Sequence, residues 1–247
     1  MNAKVWLVGA GPGDPELLTL KAVRALREAD MVLIDDLVNP AVLEHCVEAR
    51  VVTVGKRGGC RSTPQDFIHR LMLRYTRQGK CVVRLKGGDP CIFGRGGEEA
   101  MWLRERGVEV ELVNGITAGL AGATNCAVPL TLRGVSRGVT LVTAHTQDDS
   151  SLNWRALAEG GTTLVVYMGV AKLEEIRQQL LDGGMAADMP VAMIENASLP
   201  QQRECRSELV HMHRDALAFA LKSPAILVIG RVAAPGQVAC LAQAASA

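Results

Sequence analysis

Two glycine-rich segments follow short apolar runs, and both are suited to bringing the main chain close to a small molecule. The first, GAGPGDP at 9–15, comes directly after VWLV, and the second, GGDP at 87–90, comes directly after VVRLK. Glycine has no Cβ, so its backbone can contact a ligand directly. Ligands of open α/β sheets bind outside the carboxyl ends of the strands, where both segments are expected. The alternative for GGDP is an ordinary turn.

The first glycine segment lacks the features of a dinucleotide site. A Rossmann turn needs the spacing GxGxxG and free backbone N–H groups for the pyrophosphate. Here the spacing is GxGxG, Pro12 has no N–H, and Asp14 places a negative charge where a phosphate would lie. Asp35 lies about 20 residues further along the chain, where a dinucleotide-binding domain has the acid that binds the ribose. This match does not compensate for the wrong glycine spacing, Pro12 and Asp14. We therefore expect a cationic or neutral ligand, or a loop that only shapes a cleft.

A carboxylate and an ammonium follow two neighbouring predicted strands. Asp35 ends the run MVLID, and Lys56 follows VVTVG. The ends of adjacent parallel strands lie at one edge of a sheet, so both groups could face the same cleft. The alternatives are a turn-forming acid for Asp35 and a solvated charge for Lys56.

Two segments of the chain contain basic residues but no acid. The segments are 49–65 and 112–147, and their basic residues are Arg50, Lys56, Arg57, Arg61, Arg133 and Arg137. Two such segments could flank one anionic ligand. Alternatively, one is a solvated loop and the other a weakly charged connection.

Apolar runs alternate with helical segments in a pattern that predicts two α/β domains. The runs are rich in Val, Ile and Leu, and the segments between them place apolar residues three and four apart, as in helices that pack on a sheet. The strands are predicted at 5–10, 31–36, 51–55, 81–87, 108–113, 138–145, 162–169, 190–197 and 225–233, with an alternating, antiparallel strand at 204–212. We expect mainly parallel sheets that are covered by helices on both faces.

The domain boundaries follow from a change in composition. Gly, Ala and Thr dominate 114–137, which we interpret as a linker that carries one helix from Thr117 to about Ala127. The N-terminal domain is predicted at 1–113 and the C-terminal domain at 138–235. The small-residue tail at 236–247 is expected to fray.

The composition excludes several classes of protein. With 48% hydrophobic and 21% charged residues the chain is globular, and a net charge of +1 argues against a nucleic-acid binder. No run approaches the roughly 18 to 20 apolar residues of a membrane span, and the start has no signal pattern, so we expect a cytoplasmic protein with no membrane partner. The seven cysteines include no CxxC pair, and the histidines lack ligand spacing, so no metal site is expected.

Three longer strings resemble the tetrapyrrole methyltransferase family. They are VWLVGAGPGDPELLTLKA at 5–22, RLKGGDPCIFGRGGEEA at 84–100, and NGITAGLAGAT at 114–124 followed by PLTLR at 129–133. Such strings at matching separations are far more specific than a lone glycine motif. The resemblance implies that S-adenosyl-L-methionine binds in the cleft between two α/β domains, that S-adenosyl-L-homocysteine is released, and that the chain forms a homodimer.

The resemblance also implies the reaction. Two pyrrole carbons of uroporphyrinogen III, on rings A and B, would each take a methyl group and give precorrin-2 for sirohaem or cobalamin synthesis. The substrate is an anionic tetrapyrrole. Methyl transfer to carbon is an in-line displacement, so the protein positions the nucleophile and the methyl group and removes protons from the ring. No metal is needed.

The family's site residues transfer to matching positions of this sequence. The resemblance makes Asp35 a proton acceptor and Lys56 a proton donor, with Arg95 and Glu98 beside the substrate. Arginine is a poor base because its pKa exceeds about 12, so we expect Arg95 to neutralise charge on the substrate. The implied cofactor contacts are Gly11, Pro12, Gly87, Gly88, Asp89, Ile92, Thr117, Ala118, Met168, Ala197 and Ala225. For the carboxylates of the tetrapyrrole we add Arg57, Arg61, Arg133 and Arg137.

Departures from the family pattern leave alternatives open. Where the family commonly has Tyr, His, Pro and His, the chain has Ile34, Arg61, Asn114 and Leu132. These differences bear on rate, substrate inhibition or the identity of the tetrapyrrole. The alternatives are a methyltransferase that acts later in corrin synthesis or on a protein side chain, and a non-catalytic tetrapyrrole-binding protein. An NAD-dependent oxidoreductase ranks last because of Pro12 and Asp14.

Overall fold

The computed structural model describes residues 3–55, 63–145 and 152–236. The chain divides into two compact units, Met1–Thr117 and Ala118–Ala247. Each unit has its own five-stranded sheet. Among the described residues, no helix is both long enough and apolar enough to cross a membrane.

The sheet of the first unit is wholly parallel. Its strands are β1 (Val5–Gly9), β2 (Met31–Ile34), β3 (Arg50–Thr53), β4 (Val82–Lys86) and β5 (Val110–Val113), in the order β3-β2-β4-β1-β5. All four pairings are parallel. Strands β1, β2 and β4 are buried along their whole length, as parallel strands covered on both faces must be.

Helices cover both faces of this sheet. Helix α1 (Leu20–Glu28) packs on one face, where alternate strand residues such as Val8 and Leu85 point. Helices α2 (Gln65–Arg77) and α3 (Gly96–Arg104) pack on the other face, which carries Leu7 and Val82. Side chains along a strand alternate between its faces, so Arg84 and Lys86 share the face of Val82 and lie beneath α2 and α3.

The sheet of the second unit is mixed. Its strands are β6 (Val139–Thr143), β7 (Thr163–Tyr167), β8 (Pro190–Glu195), β9 (Arg203–Glu208) and β10 (Ala225–Ile229), in the order β6-β7-β10-β8-β9. Only β6 and β7 pair in parallel, whereas β7–β10, β10–β8 and β8–β9 are antiparallel. Parallel pairs therefore predominate over the two sheets together, as predicted, but not within the second sheet. The antiparallel strand predicted at 204–212 exists as β9, but it ends at Glu208, and the chain is helical from Leu209 onward.

Four helices accompany the second sheet. They are α4 (Ala118–Asn125), α5 (Trp154–Glu159), α6 (Leu173–Asp182) and α7 (Met212–Phe219). A core of strand residues packs against Ile176 and Leu180 of α6 and Met212 of α7. Helix α4 lies close to the sheet: a Cβ on Gly119 would lie 2.5 Å from Val165 Cγ1, so only glycine permits this approach.

Candidate active site

Three glycine loops at the carboxyl ends of β1, β4 and β5 pack backbone against backbone. Gly11 N donates to Gly88 O at 3.2 Å, and Gly88 N donates to Gly11 O at 2.7 Å. A Cβ on Gly115 would overlap the carbonyl oxygen of Gly88, and one on Gly9 would lie 2.6 Å from it. Gly11 and Gly88 also have φ values of 73° and 67°, which glycine adopts at little cost. The close approach of the loops therefore explains these glycines, and it makes the edge rigid.

Asp89 fixes the GGDP loop to the loop after β5. Its Oδ1 accepts a hydrogen bond from Cys91 N at 2.8 Å, and its Oδ2 accepts one from Gly115 N at 3.0 Å. The side chain is buried. Both oxygens accept hydrogen bonds from main-chain N–H groups, so the shape of the loop is fixed without a ligand. Preformed surfaces of this kind are typical of small-molecule sites.

Unfavourable backbone conformations are concentrated in loops that follow strands. Of the seven non-glycine residues with positive φ among those described, five follow β4, β7 or β8: Phe93, Arg95, Met168, Asn196 and Ser198. The left-handed region costs a non-glycine residue about 1–2 kcal/mol. Such strain persists mainly where a site needs it.

Met168 illustrates the point for a predicted cofactor contact. It follows β7 with a φ of 55°, and it is 49% exposed. Core packing, the usual role of a methionine that follows a strand, is therefore wrong for this residue. The thioether of Met168 is exposed, so the predicted cofactor contact remains a prediction for this residue.

The structure brings Arg95 and Glu98 together at the start of α3. The Nη2 and Nε atoms of Arg95 donate to Glu98 Oε2 at 2.6 and 3.0 Å. This hydrogen bonding is the main cause that raises the pKa of Arg95 and lowers the pKa of Glu98. The guanidinium therefore keeps its charge, which suits neutralisation of an anion and not proton removal. Both side chains are exposed.

Asp35 belongs to a cluster of charges that the sequence analysis did not identify. Arg84 Nη2 donates to Asp35 Oδ1 at 2.6 Å, and Lys86 Nζ lies 3.8 Å from Asp35 Oδ2. Both cations also reach Glu99 Oε1, at 3.4 Å from Arg84 Nε and 3.2 Å from Lys86 Nζ. The side chains of Arg84, Lys86 and Glu99 are 2%, 6% and 0% exposed, whereas that of Asp35 is 30% exposed. We call these four residues the buried charge cluster.

Burial changes the pKa of Lys86 in this cluster. Desolvation lowers the pKa of Lys86, and the charge of Arg84 lowers it further, while Glu99 and Asp35 oppose the change. Glu99 Oε2 has no hydrogen-bond partner among the described residues. Keeping these four charged groups together therefore costs free energy of desolvation. Asp35 is the one member of the cluster that is substantially exposed to solvent.

Helix α2 completes the surroundings of Glu99. Gln65 Nε2 donates to Glu99 Oε1 at 2.6 Å and lies 3.3 Å from His69 Nε2. The ring of His69 stacks on Trp102 with centroids 4.9 Å apart. Burial lowers the pKa of His69, against the opposing effect of nearby carboxylates.

The predicted substrate arginines differ in what the structure shows. Lys56, Arg57 and Arg61 lie outside the described residues. Arg133 and Arg137 flank a turn closed by the backbone pair Leu132 and Ser136. Both arginines are exposed, and neither forms an ion pair with another residue of the described ranges. Their charges are therefore available to an anion.

The other predicted contacts lie at strand or helix ends within each unit. Thr117 and Ala197 are buried, and a Cβ on Gly122 would lie 3.0 Å from Ala197 Cβ, so α4 leaves room only for a small residue there. Ala225 begins β10. Among the departures from the family pattern, Ile34 is packed in the core beneath α1.

The buried charge cluster left a signal in the sequence. Arg84 and Lys86 stand two residues apart in a strand that is otherwise apolar. Side chains two apart share a face, so a buried strand containing both must bring carboxylates to them. The identity of those carboxylates depends on contacts between residues distant in the chain, which spacing alone does not reveal.

Comparison with known proteins identifies the fold and its relatives. The model of the family Tetrapyrrole (Corrin/Porphyrin) Methylases matches residues 4–212. The chain is 83% identical, over all 247 residues and 100% of both chains, to uroporphyrinogen-III C-methyltransferase of Pseudomonas fluorescens. It is 42% identical to uroporphyrin-III C-methyl transferase from Thermus thermophilus complexed with S-adenyl homocysteine, covering 93% of this chain and 98% of that one with a TM-score of 0.79. A cobalt precorrin-4 methyltransferase is 26% identical, with coverages of 95% and 97% and a TM-score of 0.85.

Proposed function

This chain belongs to the family of tetrapyrrole (corrin/porphyrin) methylases, and on that premise we propose that it methylates uroporphyrinogen III at two pyrrole carbons. S-adenosyl-L-methionine is the donor, and precorrin-2, the precursor of sirohaem and cobalamin, is the product. One observation carries this proposal: the 83% identity to the Pseudomonas fluorescens uroporphyrinogen-III C-methyltransferase over the full length of both chains. The late corrin enzyme, a cobalt precorrin-4 methyltransferase, shares the fold at only 26% identity.

The glycine loops of the first unit fit a sulfonium donor. Loops after β1 and β4 present backbone without Cβ atoms at Gly11 and Gly88, and their hydrogen bonds to each other fix their shape. Pro12 and Asp14 make the first loop unsuited to phosphate, whereas a cationic sulfonium is compatible with both. In the Thermus relative the bound molecule is S-adenyl homocysteine, the demethylated donor. We assign the cofactor to Gly11, Pro12, Gly87, Gly88, Asp89, Ile92, Thr117, Ala118, Met168, Ala197 and Ala225.

The bound cofactor supplies an activated methyl group on sulfur. When bound, it would give up this methyl group to a pyrrole carbon: a C–C bond would form with an electron pair of the ring, and the electron pair of the broken C–S bond would go to sulfur. The methylated ring then loses one proton. The work of the protein is to align the ring carbon, methyl group and sulfur, and to accept that proton.

Asp35 is the proposed proton acceptor. Its carboxylate is the one member of the buried charge cluster that is substantially open to solvent, and Arg84 holds it at 2.6 Å. Lys56, which lies outside the described residues, is the proposed proton donor. Both roles come from the family resemblance.

The substrate's carboxylates are assigned to exposed guanidinium groups. Arg95 is kept charged and oriented by Glu98, and Arg133 and Arg137 are exposed. Arg57 and Arg61 complete the set from the sequence. Bidentate guanidinium groups match carboxylates well in geometry and charge. The homodimer is also proposed, from the resemblance alone. The cytoplasmic location is proposed from the sequence pattern.

Methyl counting tests the function. Purified chain is incubated without oxygen with methyl-labelled S-adenosyl-L-methionine and enzymatically made uroporphyrinogen III, and the macrocycle is analysed by mass spectrometry. We expect two labelled methyl groups per macrocycle and two S-adenosyl-L-homocysteine molecules released. Unchanged macrocycle and intact donor after prolonged incubation would instead indicate a tetrapyrrole-binding protein. Methylation only of a later corrin intermediate would contradict the proposed substrate.

A further inference from the structure

We propose that Arg84 and Lys86 are positioning residues for the carboxylate of Asp35, and that Glu99 of α3 holds both cations in place through its Oε1 atom. This inference rests on the proposed role of Asp35 as the proton acceptor, and it deepens that role. It assigns a task to three buried charged residues that the reaction as described does not otherwise use.

The geometry ties Asp35 to strand β4 through both its main chain and its side chain. Strands β2 and β4 are adjacent and parallel, with Leu33 opposite Arg84. Asp35 N donates to Leu85 O at 3.2 Å just beyond the end of β2. Arg84 Nη2 then reaches Asp35 Oδ1 at 2.6 Å, while Arg84 Nη1 donates to Leu33 O at 3.4 Å. The guanidinium of Arg84 therefore contacts both the main chain of β2 at Leu33 and the carboxylate of Asp35.

The two carboxylate oxygens are engaged unequally. Within the described residues, Oδ1 has the short hydrogen bond from Arg84, whereas Oδ2 has only Lys86 Nζ at 3.8 Å. A charge-assisted hydrogen bond of 2.6 Å fixes the orientation of the acceptor. Oδ2 is thus the oxygen left to accept a ring proton, and the position of Arg84 decides where that oxygen points.

Glu99 balances the second positive charge. Its Oε1 accepts from Gln65, Lys86 and Arg84, so the four charged groups contain equal numbers of cations and anions. A buried charge without a partner costs several kcal/mol. Without Glu99, the two buried cations would have only the partly exposed Asp35 between them.

Stability alone does not account for this arrangement. Buried ion networks are often no more stabilising than well-packed apolar side chains of similar volume. Apolar residues at 84, 86 and 99 would continue the adjacent core of Leu33, Val82 and Ala100. The charges are explained if their purpose is to hold Asp35, the member of the cluster that reaches solvent.

A double-mutant cycle separates positioning from a merely structural role. The variants are Arg84→Lys, Asp35→Asn and the double substitution, with Arg104→Lys as the matched control. Arg104 is an exposed α3 residue of the same unit that donates to Val110 O at 3.1 Å. Turnover of uroporphyrinogen III, the KM for both substrates, the affinity for S-adenosyl-L-homocysteine and Tm are measured for each variant.

We expect Arg84→Lys to lower kcat about tenfold with little change in either KM, since a lysine cannot place the same two donors. In the Asp35→Asn background the same substitution should have no further effect, because Arg84 acts through Asp35. Equal factors in both backgrounds would show that Arg84 is structural and would overturn the inference. Arg104→Lys should leave kcat unchanged.

A second variant covers the case in which Arg84→Lys does not fold. Glu99→Gln is isosteric and keeps a hydrogen-bond acceptor, so it is tested in the same cycle with the same expected dependence on Asp35. The outcomes distinguish the two proposals. If the native chain does not methylate uroporphyrinogen III, the proposed function fails. If it does, but the effects are additive, only the positioning role fails. Native turnover in Asp35→Asn would refute both the positioning role and the assignment of Asp35 as the proton acceptor, while the methylation itself would stand.

Discussion

Asp89 shows how one side chain sets the shape of a binding loop. Its two oxygens accept from Cys91 N and Gly115 N, so a single carboxylate joins the loops after β4 and β5. The need for an acceptor on both sides accounts for an aspartate at this position. The sequence predicted Asp89 as a site residue through family resemblance, but it did not reveal this role.

Asp89→Asn tests that explanation. The amide keeps one acceptor and turns its NH2 group toward the other main-chain N–H, which leaves one buried donor unsatisfied at a cost of about 1–3 kcal/mol. We expect the Kd for S-adenosyl-L-homocysteine to rise about tenfold, measured by isothermal titration calorimetry. Asp188→Asn, at an exposed loop position of the second unit, is the control. Native affinity in Asp89→Asn would refute the account of this loop.

His69 makes the stability of the first unit sensitive to acid. Its folded-state pKa is lowered from 6.5 by burial, so below 6.5 the unfolded chain binds a proton more readily than the folded chain. The free energy of unfolding should therefore fall as pH decreases from above 6.5 toward the lowered pKa. Urea denaturation at several pH values should show a smaller fall in His69→Gln than in the native chain. His145→Gln, which removes an exposed histidine, should retain the native dependence; identical profiles for all three would contradict this prediction.

The local sequence pattern predicted which segments form strands better than it predicted the directions of those strands. Apolar runs identified β1, β2 and β4, and the helical connections between them required parallel pairing. The run AILVI that forms β10 is apolar throughout, so nothing in its pattern indicates its direction. Its antiparallel placement between β7 and β8 depends on the packing of the whole sheet.

The buried charge cluster escaped sequence analysis for a similar reason. Arg84 lies 49 residues from Asp35 and 15 from Glu99 along the chain. Each residue alone has an ordinary interpretation, as a strand charge, a turn acid or a first-turn helix acid. Only the sheet register and the packing of α3 bring them together.

The loop after β7 yields a prediction about strain. Met168→Gly removes the left-handed strain of a non-glycine residue, so we expect the free energy of unfolding to rise by up to about 1 kcal/mol. The affinity for S-adenosyl-L-homocysteine should fall, because the exposed thioether is lost. Urea denaturation and calorimetry measure the two quantities. Ala220→Gly relieves a similar φ of 53° at the end of α7 and should raise stability without changing affinity; lower stability or unchanged affinity in Met168→Gly would count against a role at the site.

For the whole molecule, the question is how a chain of net charge +1 holds a substrate with many carboxylates. Total charge gives no attraction, so the distribution of charge must supply it. Arg133 and Arg137 lie in a stretch without acids, and both are exposed. The composition predicted two domains joined by a linker at 114–137, and the two compact units of the structure meet at Thr117 and Ala118 in the sequence.

Charge reversal tests this distribution. Arg133→Glu should raise the KM for uroporphyrinogen III at least about tenfold, because it replaces an attraction by a repulsion, while the affinity for S-adenosyl-L-homocysteine stays native. Arg155→Glu makes the same change in net charge on α5, at another exposed arginine, and should leave the KM near its native value. Equal effects of the two substitutions would mean that net charge, and not position, governs substrate binding.

We propose that the glycine loops of the first unit hold the sulfonium donor while its methyl group is transferred to a ring carbon. A crystal structure of the chain with S-adenosyl-L-homocysteine tests it most directly. We predict ligand density against Pro12, Gly88, Asp89 and Ile92, with the sulfur on the same side of the sheet as Asp35. Density that avoids the loops after β1 and β4 would contradict the account.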